Sequence, residues 1–474
     1  MPTYDVRVWA IYADTRGTRN SYTVRWAVAG KRRSKAFQTR ALAESFRAKL
    51  LSSAREGVQF DEASGLPVTM VREAKISPSW YEFACAYVDM KWPKAAGNTR
   101  VGIAEALATA THPLLLKSPG RPSEDRIRAA LYGWAFNAVR RREPASAEIA
   151  RTVAWIEQHC LRLDQMDDPA VMRRMLDRIA LRNDGKPAAA STVGRKRAVL
   201  HNALEYAVEL GHLPSNPMGR VRWTAPKLAE AVDRRVVVNP EQAEALLRAV
   251  ADVKPSGPRF VAFFACMYYA AMRPAEVSEL NMADCTLPEE GWGELLLWRS
   301  APVTGKAWTD NATTRDARQL KHRSVQDTRP VPAPPPLVAY LRNHVRQFGY
   351  APDGRIFRSR YNNGPVSDST YGNIWRDARK AALTPGQAAS PMARRPYDLR
   401  HAAVSLWLNS GVSPQQVAEW AGHSVNVLLR VYAKCLDGEQ DAARRRVETA
   451  LKLGSLGPSS TASRTEGGDT GGGA

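Results

Sequence analysis

Four residues in the C-terminal half of the chain have the right side-chain types to act on one phosphate. Arg400, His423 and Tyr432 lie within residues 396–435, and Arg273 lies upstream in AMRPAEVSEL. Two arginines can hold the non-bridging oxygens of a phosphodiester through paired hydrogen bonds. A phenol can attack phosphorus and form a covalent phosphodiester, while a nearby acid protonates the departing 5′ oxygen. The set predicts metal-independent cleavage of a phosphodiester.

Helix breaks are expected to position the two ends of this set. A residue before proline is disfavoured in a helix, so Arg273 should sit between the apolar helix ending at Met272 and a second helix starting at Pro274. The free N–H groups of that second helix suit a phosphate. Arg400 is expected in the first turn of a helix capped by Asp398, where the dipole also favours an anion.

The last two helices are expected to carry the remaining groups. Gly422 should end the helix that Ser413 caps, which leaves His423 in a junction. Tyr432 lies on the apolar face of the next helix, which Ser424 can cap. Considered alone, Tyr432 resembles a core tyrosine, and His423 and Arg273 have equally ordinary structural interpretations. The combination is what favours chemistry.

A strand pair supplies the candidate acid. GELLLWRS and TRPVPAP read as two strands joined by a polar, basic connection that ends in QLKHRSVQ. Lys321, beside the returning strand, is a flexible proton donor. Lys306, earlier in the connection, is the competing candidate, and either lysine is compatible with a solvated hairpin.

Composition favours a polyanionic partner. The 474 residues carry 68 Lys+Arg against 47 Asp+Glu, a net charge of +21. This length predicts more than one domain.

Five scattered cysteines without a CxxC pair indicate neither a disulfide framework nor a zinc site. No signal peptide or membrane-spanning run is recognisable, so a cytoplasmic protein is expected.

Periodicity predicts a multidomain chain that is mainly α-helical with small β elements. Residues 1–60 read as a three-stranded antiparallel sheet plus a helix, with twelve Lys/Arg against four Asp/Glu. Residues 72–216 read as an all-helical domain, 233–453 as one compact mixed α/β unit, and 454–474 as a disordered Gly/Ser/Thr-rich tail. Basic residues expected to contact DNA lie on the sheet and at the start of the 191–210 helix: Arg7, Arg25, Lys31, Arg32, Arg33, Lys35, Arg195, Lys196 and Arg197. A solvated basic surface is the alternative.

The order YDLRH, AGHS, LLRVYAK, with AMRPAEVSEL upstream, resembles the tyrosine recombinases, or phage-type integrases. These motifs are most similar to those of integrases from actinobacterial phages and integrative elements. The resemblance implies an arm-type DNA-binding domain, a core-binding domain and a catalytic domain. It implies Arg273 and Arg400 as the two arginines, Lys321 as the hairpin lysine, His423 as the box histidine and Tyr432 as the nucleophile. Glu276 matches an acidic position expected to brace Arg400.

One position departs from the family pattern. Tyr397 occupies the place, three residues before Arg400, where the family usually has histidine. A phenol can hydrogen-bond a phosphate or take part in proton transfer, but its ordinary pKa near 10 makes it a poor base at neutral pH. His401 follows Arg400 directly, and helical geometry is expected to direct it to one side of the site.

The resemblance implies an integrase that cleaves and rejoins DNA attachment sites through a 3′-phosphotyrosyl intermediate, without metal, ATP or other cofactor. It implies a homotetramer on synapsed DNA, with an excisionase and a host DNA-bending protein as candidate partners, in a bacterial, nucleoid-associated setting. A helix from about Asp437 to Leu453 is a candidate contact with a neighbouring protomer. Two alternatives stay open: a non-catalytic DNA-binding relative, and a topoisomerase-like enzyme that never synapses two sites.

Overall fold

The computed structural model describes residues 2–14, 21–70, 77–227, 231–320, 327–432, 444–445, 447–449 and 451. By its internal contacts the chain divides into two compact units. The first comprises Met1–Lys94 and Gly102–Pro226, and the second comprises Ala95–Val101 and Lys227–Ala474. Within the described ranges, no helix combines the length and the apolar character needed to cross a membrane.

The N-terminal part of the first unit is an antiparallel sheet packed on one helix. Strand β4 (Ser21–Val28) is central, and three strands pair with it: β2 (Val6–Val8), β3 (Tyr12–Asp14) and β5 (Lys31–Phe37). The expected first strand is interrupted, because β2 and β3 pair with different halves of β4. A second small sheet, β1–β6–β7, was not predicted. The elements are β1 Pro2–Thr3, β2 Val6–Val8, β3 Tyr12–Asp14, β4 Ser21–Val28, β5 Lys31–Phe37, a helix at Arg40–Arg55, β6 Phe60–Asp61 and β7 Leu66–Pro67.

Alternation along β4 separates the two faces of this sheet. Val24, Trp26 and Val28 are buried on one face and pack with the buried residues Phe46 and Leu50 of the helix. Successive strand residues point to opposite faces, so the intervening residues of β4 lie on the other face. One face is therefore a hydrophobic core, and the other is open.

The rest of the first unit is helical, as the periodicity predicts. Its first helix begins at Trp80, where Ser79 and Glu82 form a reciprocal capping box. The Ala190–Glu209 helix buries Val193, Leu200 and Leu204. The helices are Trp80–Lys91, Gly97–Thr111 (whose first residues belong to the second unit), Glu124–Ala130, Ala147–His159, Pro169–Ile179 and Ala190–Glu209.

The second unit is built around a buried apolar helix and a small sheet. Seven of the nine residues of Val261–Tyr269 are buried, all except the first and the last, and this helix packs against the Pro335–Phe348 and Asp398–Asn409 helices. The predicted strand pair is present as β9 (Gly293–Leu297) and β12 (Arg329–Ala333), in antiparallel register. The remaining elements are helices Pro240–Asp252, Pro274–Val277, Asp368–Ala382 and Pro385–Ala389, and strands β8 Cys285–Thr286, β10 Arg299–Ser300 and β11 Arg318–Gln319.

Three consecutive helices follow: Asp398–Asn409, Pro414–Ala421 and Val425–Tyr432. Ala403, Val404, Val417, Leu428 and Tyr432 pack together in a small core of their own. Ser413 and Ser424 accept backbone N–H bonds at the starts of the last two helices, as predicted. These helices carry most of the candidate site.

Candidate active site

Arg400 is fully buried at 0% exposure. It lies in the first turn of the Asp398–Asn409 helix, as predicted, but Tyr397 is the N-cap and Asp398 accepts the N–H of Arg395 instead of capping. The Arg400 guanidinium donates to the carbonyls of Ala271 and Ala421. Burial and the neighbouring Arg273 lower the pKa of Arg400 to about 10, which leaves it charged at neutral pH.

Arg273 occupies the predicted break between two helices. Its backbone is extended, and Pro274 starts the short helix that follows. Nη1 donates to Glu276 Oε1 at 2.7 Å, and Nη2 donates to the carbonyl of Gly422 at 2.9 Å. Arg273 is therefore tied both to its own helix and to the glycine before His423.

Glu276 corrects one expectation. It was expected to brace Arg400, but its carboxylate accepts from Arg273 and, through both oxygens, from Arg329 at 2.7 and 3.2 Å. Burial alone would raise the pKa of the Glu276 carboxyl, but Arg329 and Arg273 hold it well below its ordinary range. Glu276 stays ionised and positions Arg273, while Arg400 acts on it only at longer range.

Arg329 is a site residue that the sequence reasoning missed. It is the first residue of β12 and is 1% exposed. Its alternation with the buried residues Val331 and Ala333 was the available signal, because that period places an arginine on the inward face of a strand. The guanidinium groups of Arg273, Arg329 and Arg400 lie around one carboxylate, Glu276, so these four groups together carry a positive charge.

His423 lies in the helix junction, as predicted, where Gly422 adopts a left-handed conformation at φ +64°. Arg400 Nη2 lies 2.9 Å from His423 Nε2. Burial, followed by Arg400 and Arg273, lowers the pKa of His423 to about 3, so the ring is neutral. Nε2 then accepts from Arg400 and the ring proton lies on Nδ1. This Nδ1 has no hydrogen-bond partner among the described residues, so it can donate to a phosphate oxygen.

Tyr432 is the last residue of the Val425–Tyr432 helix and is 1% exposed. Its ring lies 6.1 Å from the ring of His423, centroid to centroid. The phenol also lies close enough to Arg400 to influence the pKa of that guanidinium. The structure therefore brings Arg273, Arg400, His423 and Tyr432 together at one place.

His401 contradicts its prediction. It was expected to lie to one side of the site, but its Nδ1 lies 2.9 Å from the Tyr432 hydroxyl. The reason is that Tyr432 packs in one small core with Ala403 and Val404 of the Asp398–Asn409 helix, an arrangement that the chain order does not reveal. The signal available was the i, i+4 spacing of Tyr397 and His401, which places both rings on one helix face.

Tyr397 is partly buried beside Arg273 and His401. Its ring packs edge-on against His401 at 5.2 Å between centroids. Burial lowers the pKa of the Arg273 guanidinium, but Glu276 and the hydrogen-bonded phenol of Tyr397 raise it above its ordinary value. Tyr397 is therefore directed at Arg273 and not at Tyr432.

Lys321, the candidate acid, lies outside the described residues, as does most of the predicted helix from Asp437 to Leu453 and the 454–474 tail. Lys306, the competing lysine, is exposed in a short helix at Lys306–Trp308. The assignment of the acid to Lys321 stays a prediction.

The basic residues of the N-terminal sheet divide between its two faces. Arg25 lies on the open face of β4, Arg7 pairs with Ala27 from one side, and Arg32 pairs with Ala27 from the other, so all three share that face. Arg25 also stacks on exposed Tyr12 at 4.8 Å. Lys31, Arg33 and Lys35 lie on the opposite face, where Arg33 donates to the carbonyls of Glu62 and Ala63 and Lys35 lies over the Phe46 ring.

The structure corrects the prediction that Lys196 contacts DNA. Lys196 is 5% exposed, and its ammonium binds Glu105 at 3.3 Å and Thr109 at 2.9 Å. Its neighbours Arg195 and Arg197 are exposed. A one-residue step along a helix rotates a side chain by about 100°, which takes Lys196 to the core face.

Comparison with known proteins connects this geometry to a family. Residues 237–438 match the Phage integrase family. Tyrosine recombinase XerC from two strains of Lactobacillus delbrueckii subsp. bulgaricus is 25% identical over 267 residues, which cover 55% of this chain and 78% of XerC.

Two solved structures are also similar. One is the Tn1549 transposon integrase in complex with circular intermediate DNA, at a TM-score of 0.47 and 16% identity over 66% of this chain and 96% of that one. The other is a lambda integrase dimer bound to a COC′ core site, at a TM-score of 0.44 and 16% identity, covering 87% of this chain and 91% of that one. The match to the Phage integrase family over residues 237–438 contains Arg273, Arg400, His423 and Tyr432, so the part of the chain that is similar to this family includes all four positions.

Proposed function

We propose that this chain is a site-specific DNA recombinase in which the Tyr432 hydroxyl attacks a scissile phosphate. The O–P bond to Tyr432 forms as the bond to the 5′ oxygen breaks, giving a 3′-phosphotyrosyl link and a free 5′ hydroxyl. That hydroxyl of one strand then attacks the link on a partner strand and releases Tyr432. The energy of the bond is retained throughout, so the reaction needs no ATP.

One observation carries the proposal: the Tyr432 phenol lies beside His423 and Arg400, within a cluster of positive charge. Arg400 and His423 are in hydrogen-bond contact, and Arg273 is bound to the residue preceding His423. Arg273 and Arg400 are placed to hold the non-bridging oxygens, and the Nδ1 proton of His423 adds a further donor. Lys321 is proposed as the acid for the 5′ oxygen, on the family resemblance.

DNA is the proposed partner throughout. The net charge of +21 favours it, and the open face with Arg7, Arg25 and Arg32 offers exposed guanidinium groups for a groove or its phosphates. The XerC relatives are named as recombinases, which supports synapsis of two sites over simple relaxation of supercoils. We further propose a homotetramer on two synapsed duplexes, with an excisionase and a host DNA-bending protein as auxiliary partners and a mobile element as the cargo.

The test is a covalent-adduct assay. The full chain is incubated with a pool of nicked duplexes tiled across the DNA adjoining its gene, and SDS-resistant complexes are collected. We expect an adduct with the native chain and none with Tyr432→Phe, which keeps the ring but lacks the hydroxyl. If no duplex in the pool gives an adduct, or if Tyr432→Phe still gives one, the proposed function is wrong.

Two further readouts separate the alternatives. Joined products from two different duplexes identify a recombinase, whereas relaxed supercoiled plasmid without joined products identifies a topoisomerase-like enzyme. Salt-dependent binding in the absence of any adduct identifies a DNA-binding protein without catalysis.

A further inference from the structure

We infer that His401 is the proton acceptor for Tyr432, through Nδ1. The inference rests on the proposed function and adds a step to it. The contact that carries it is the 2.9 Å approach of His401 Nδ1 to the Tyr432 hydroxyl. Attack by a phenol requires its proton to leave, and a base within hydrogen-bond reach is the geometric requirement for general-base catalysis.

The two tyrosines and two histidines of the site have distinct placements. Tyr397 is hydrogen-bonded to Arg273, which makes it a partner of the phosphate-binding arginine. His423 accepts from Arg400 through Nε2, so that nitrogen is occupied by a permanently charged donor. His401 is the ring whose nitrogen lies against the nucleophile.

The protonation state of His401 suits a base. Burial, followed by Arg400 and Arg395, lowers the pKa of His401 to about 4, so the ring is neutral at physiological pH. With the proton on Nε2, Nδ1 is free to accept the phenolic hydrogen. Among the described residues, five titratable or charged groups face this ring. Arg400 is on the same helix, Arg395 and Tyr397 precede that helix, His423 lies in the junction, and Tyr432 lies on the Val425–Tyr432 helix.

The step balances. As the Tyr432 oxygen bonds to phosphorus, its O–H bond breaks and a N–H bond forms at Nδ1 of His401. The imidazolium formed lies near Arg400, and the negative charge building on the phosphoryl oxygens lies between Arg400 and Arg273. In the rejoining step the same proton returns to the departing Tyr432 oxygen, as microscopic reversibility requires.

The test compares variants of the full chain on the nicked duplex that gives the strongest adduct. His401→Asn keeps an acceptor near the position of Nδ1 but cannot take up a proton. We expect its rate of adduct formation to fall by about 10²- to 10⁴-fold. His344→Asn is the matched control, because His344 is another buried histidine with a lowered pKa, on the Pro335–Phe348 helix, and its Nε2 contacts the carbonyl of Ile356. Its adduct rate should stay at the native level.

A second measurement distinguishes proton transfer from a structural role. Trifluorotyrosine at position 432 has a more acidic phenol, so it should recover at least tenfold of the rate lost in His401→Asn while changing the native chain little. The rate of His401→Asn should also rise about tenfold per pH unit from pH 6 to 9, since deprotonation of Tyr432 now limits it, because the ordinary pKa of a phenol is near 10. The native rate should be flat over that range.

Three outcomes would overturn the inference: His401→Asn at native rate, a loss without recovery by the fluorinated phenol, or a loss whose pH profile matches the native one. Noncovalent binding of the same duplex confirms that each variant is folded. If His401→Asn does not bind, His401→Gln is measured in the same way. Failure of the proposed function is a separate result, since it removes the adduct from the native chain or leaves it in Tyr432→Phe.

Discussion

Replacing Glu276 by glutamine should destabilise the second unit strongly. The carboxylate is 2% exposed and receives hydrogen bonds from Arg329 and Arg273. Glutamine keeps the shape but removes the charge. Arg273 is 26% exposed on its side chain and can regain water, whereas Arg329, at 1%, cannot. Most of the lost stability therefore arises from Arg329, a buried arginine left without its counter-charge.

The expected magnitude is about 3–5 kcal/mol, the cost of breaking a buried pair by removing one partner. The Coulomb attraction of two unit charges about 4 Å apart, roughly 4 kcal/mol at an effective dielectric constant of about 20, is of the same size. The assay is hydrogen exchange of the full chain, read on peptides from residues 261–280 and 398–432. Protection should fall roughly 10²- to 10⁴-fold, at 1.36 kcal/mol per factor of ten.

A matched control and a double variant sharpen this prediction. Glu289→Gln makes the same change in a surface pair with Arg342, where Glu289 is 88% exposed, and should leave protection unchanged. Glu276→Gln combined with Arg329→Met removes the stranded charge and should be more stable than Glu276→Gln alone. A loss below about 1 kcal/mol, or a double variant as unstable as the sum of its parts, would refute the reasoning.

The pH dependence has a definite sign. The pKa of Glu276 in the folded chain is lower than in the unfolded chain, so its stabilisation is fully present above the unfolded value of about 4.3. It is lost as the pH falls through the folded value. The difference in protection between the native chain and Glu276→Gln should therefore be constant from about pH 5 to 8 and shrink in more acidic solution.

Three further predictions concern other parts of the chain. Gly422→Ala should cost about 1–3 kcal/mol of stability and reduce the adduct rate, because position 422 has a positive φ and an added Cβ would collide with Arg329; hydrogen exchange and the adduct assay measure the two effects. Lys196→Met should lower the thermal midpoint with little change in the salt dependence of DNA binding. Arg195→Ala should leave the thermal midpoint unchanged and reduce the salt dependence of DNA binding. Arg25→Ala should weaken binding and reduce the slope of log affinity against log salt by about one, measured by fluorescence anisotropy, and an unchanged slope would exclude a phosphate contact there.

Local signals were sufficient for much of the fold. The alternation of β4 and the helical periodicity of residues 77–210 predicted elements that the structure contains, with helix starts displaced by a residue or two where a cap decides the boundary. Proline at 274 and glycine at 422 predicted the two breaks that hold Arg273 and His423, because both residues restrict or extend the backbone in ways that depend only on the local chain.

Contacts between distant segments could not be obtained in this way. Residue types and order indicated that Arg273, Arg400, His423 and Tyr432 would meet. Three contacts depend instead on how helices and strands pack. Glu276 binds Arg329 instead of Arg400, Lys196 is buried against Glu105, and His401 faces Tyr432. Periodicity gives the buried face of each element, but the angle and register at which two faces meet are set by side-chain packing across the whole core. The sequence by itself determined the chemical groups of this site, and tertiary packing decided which of them are in contact.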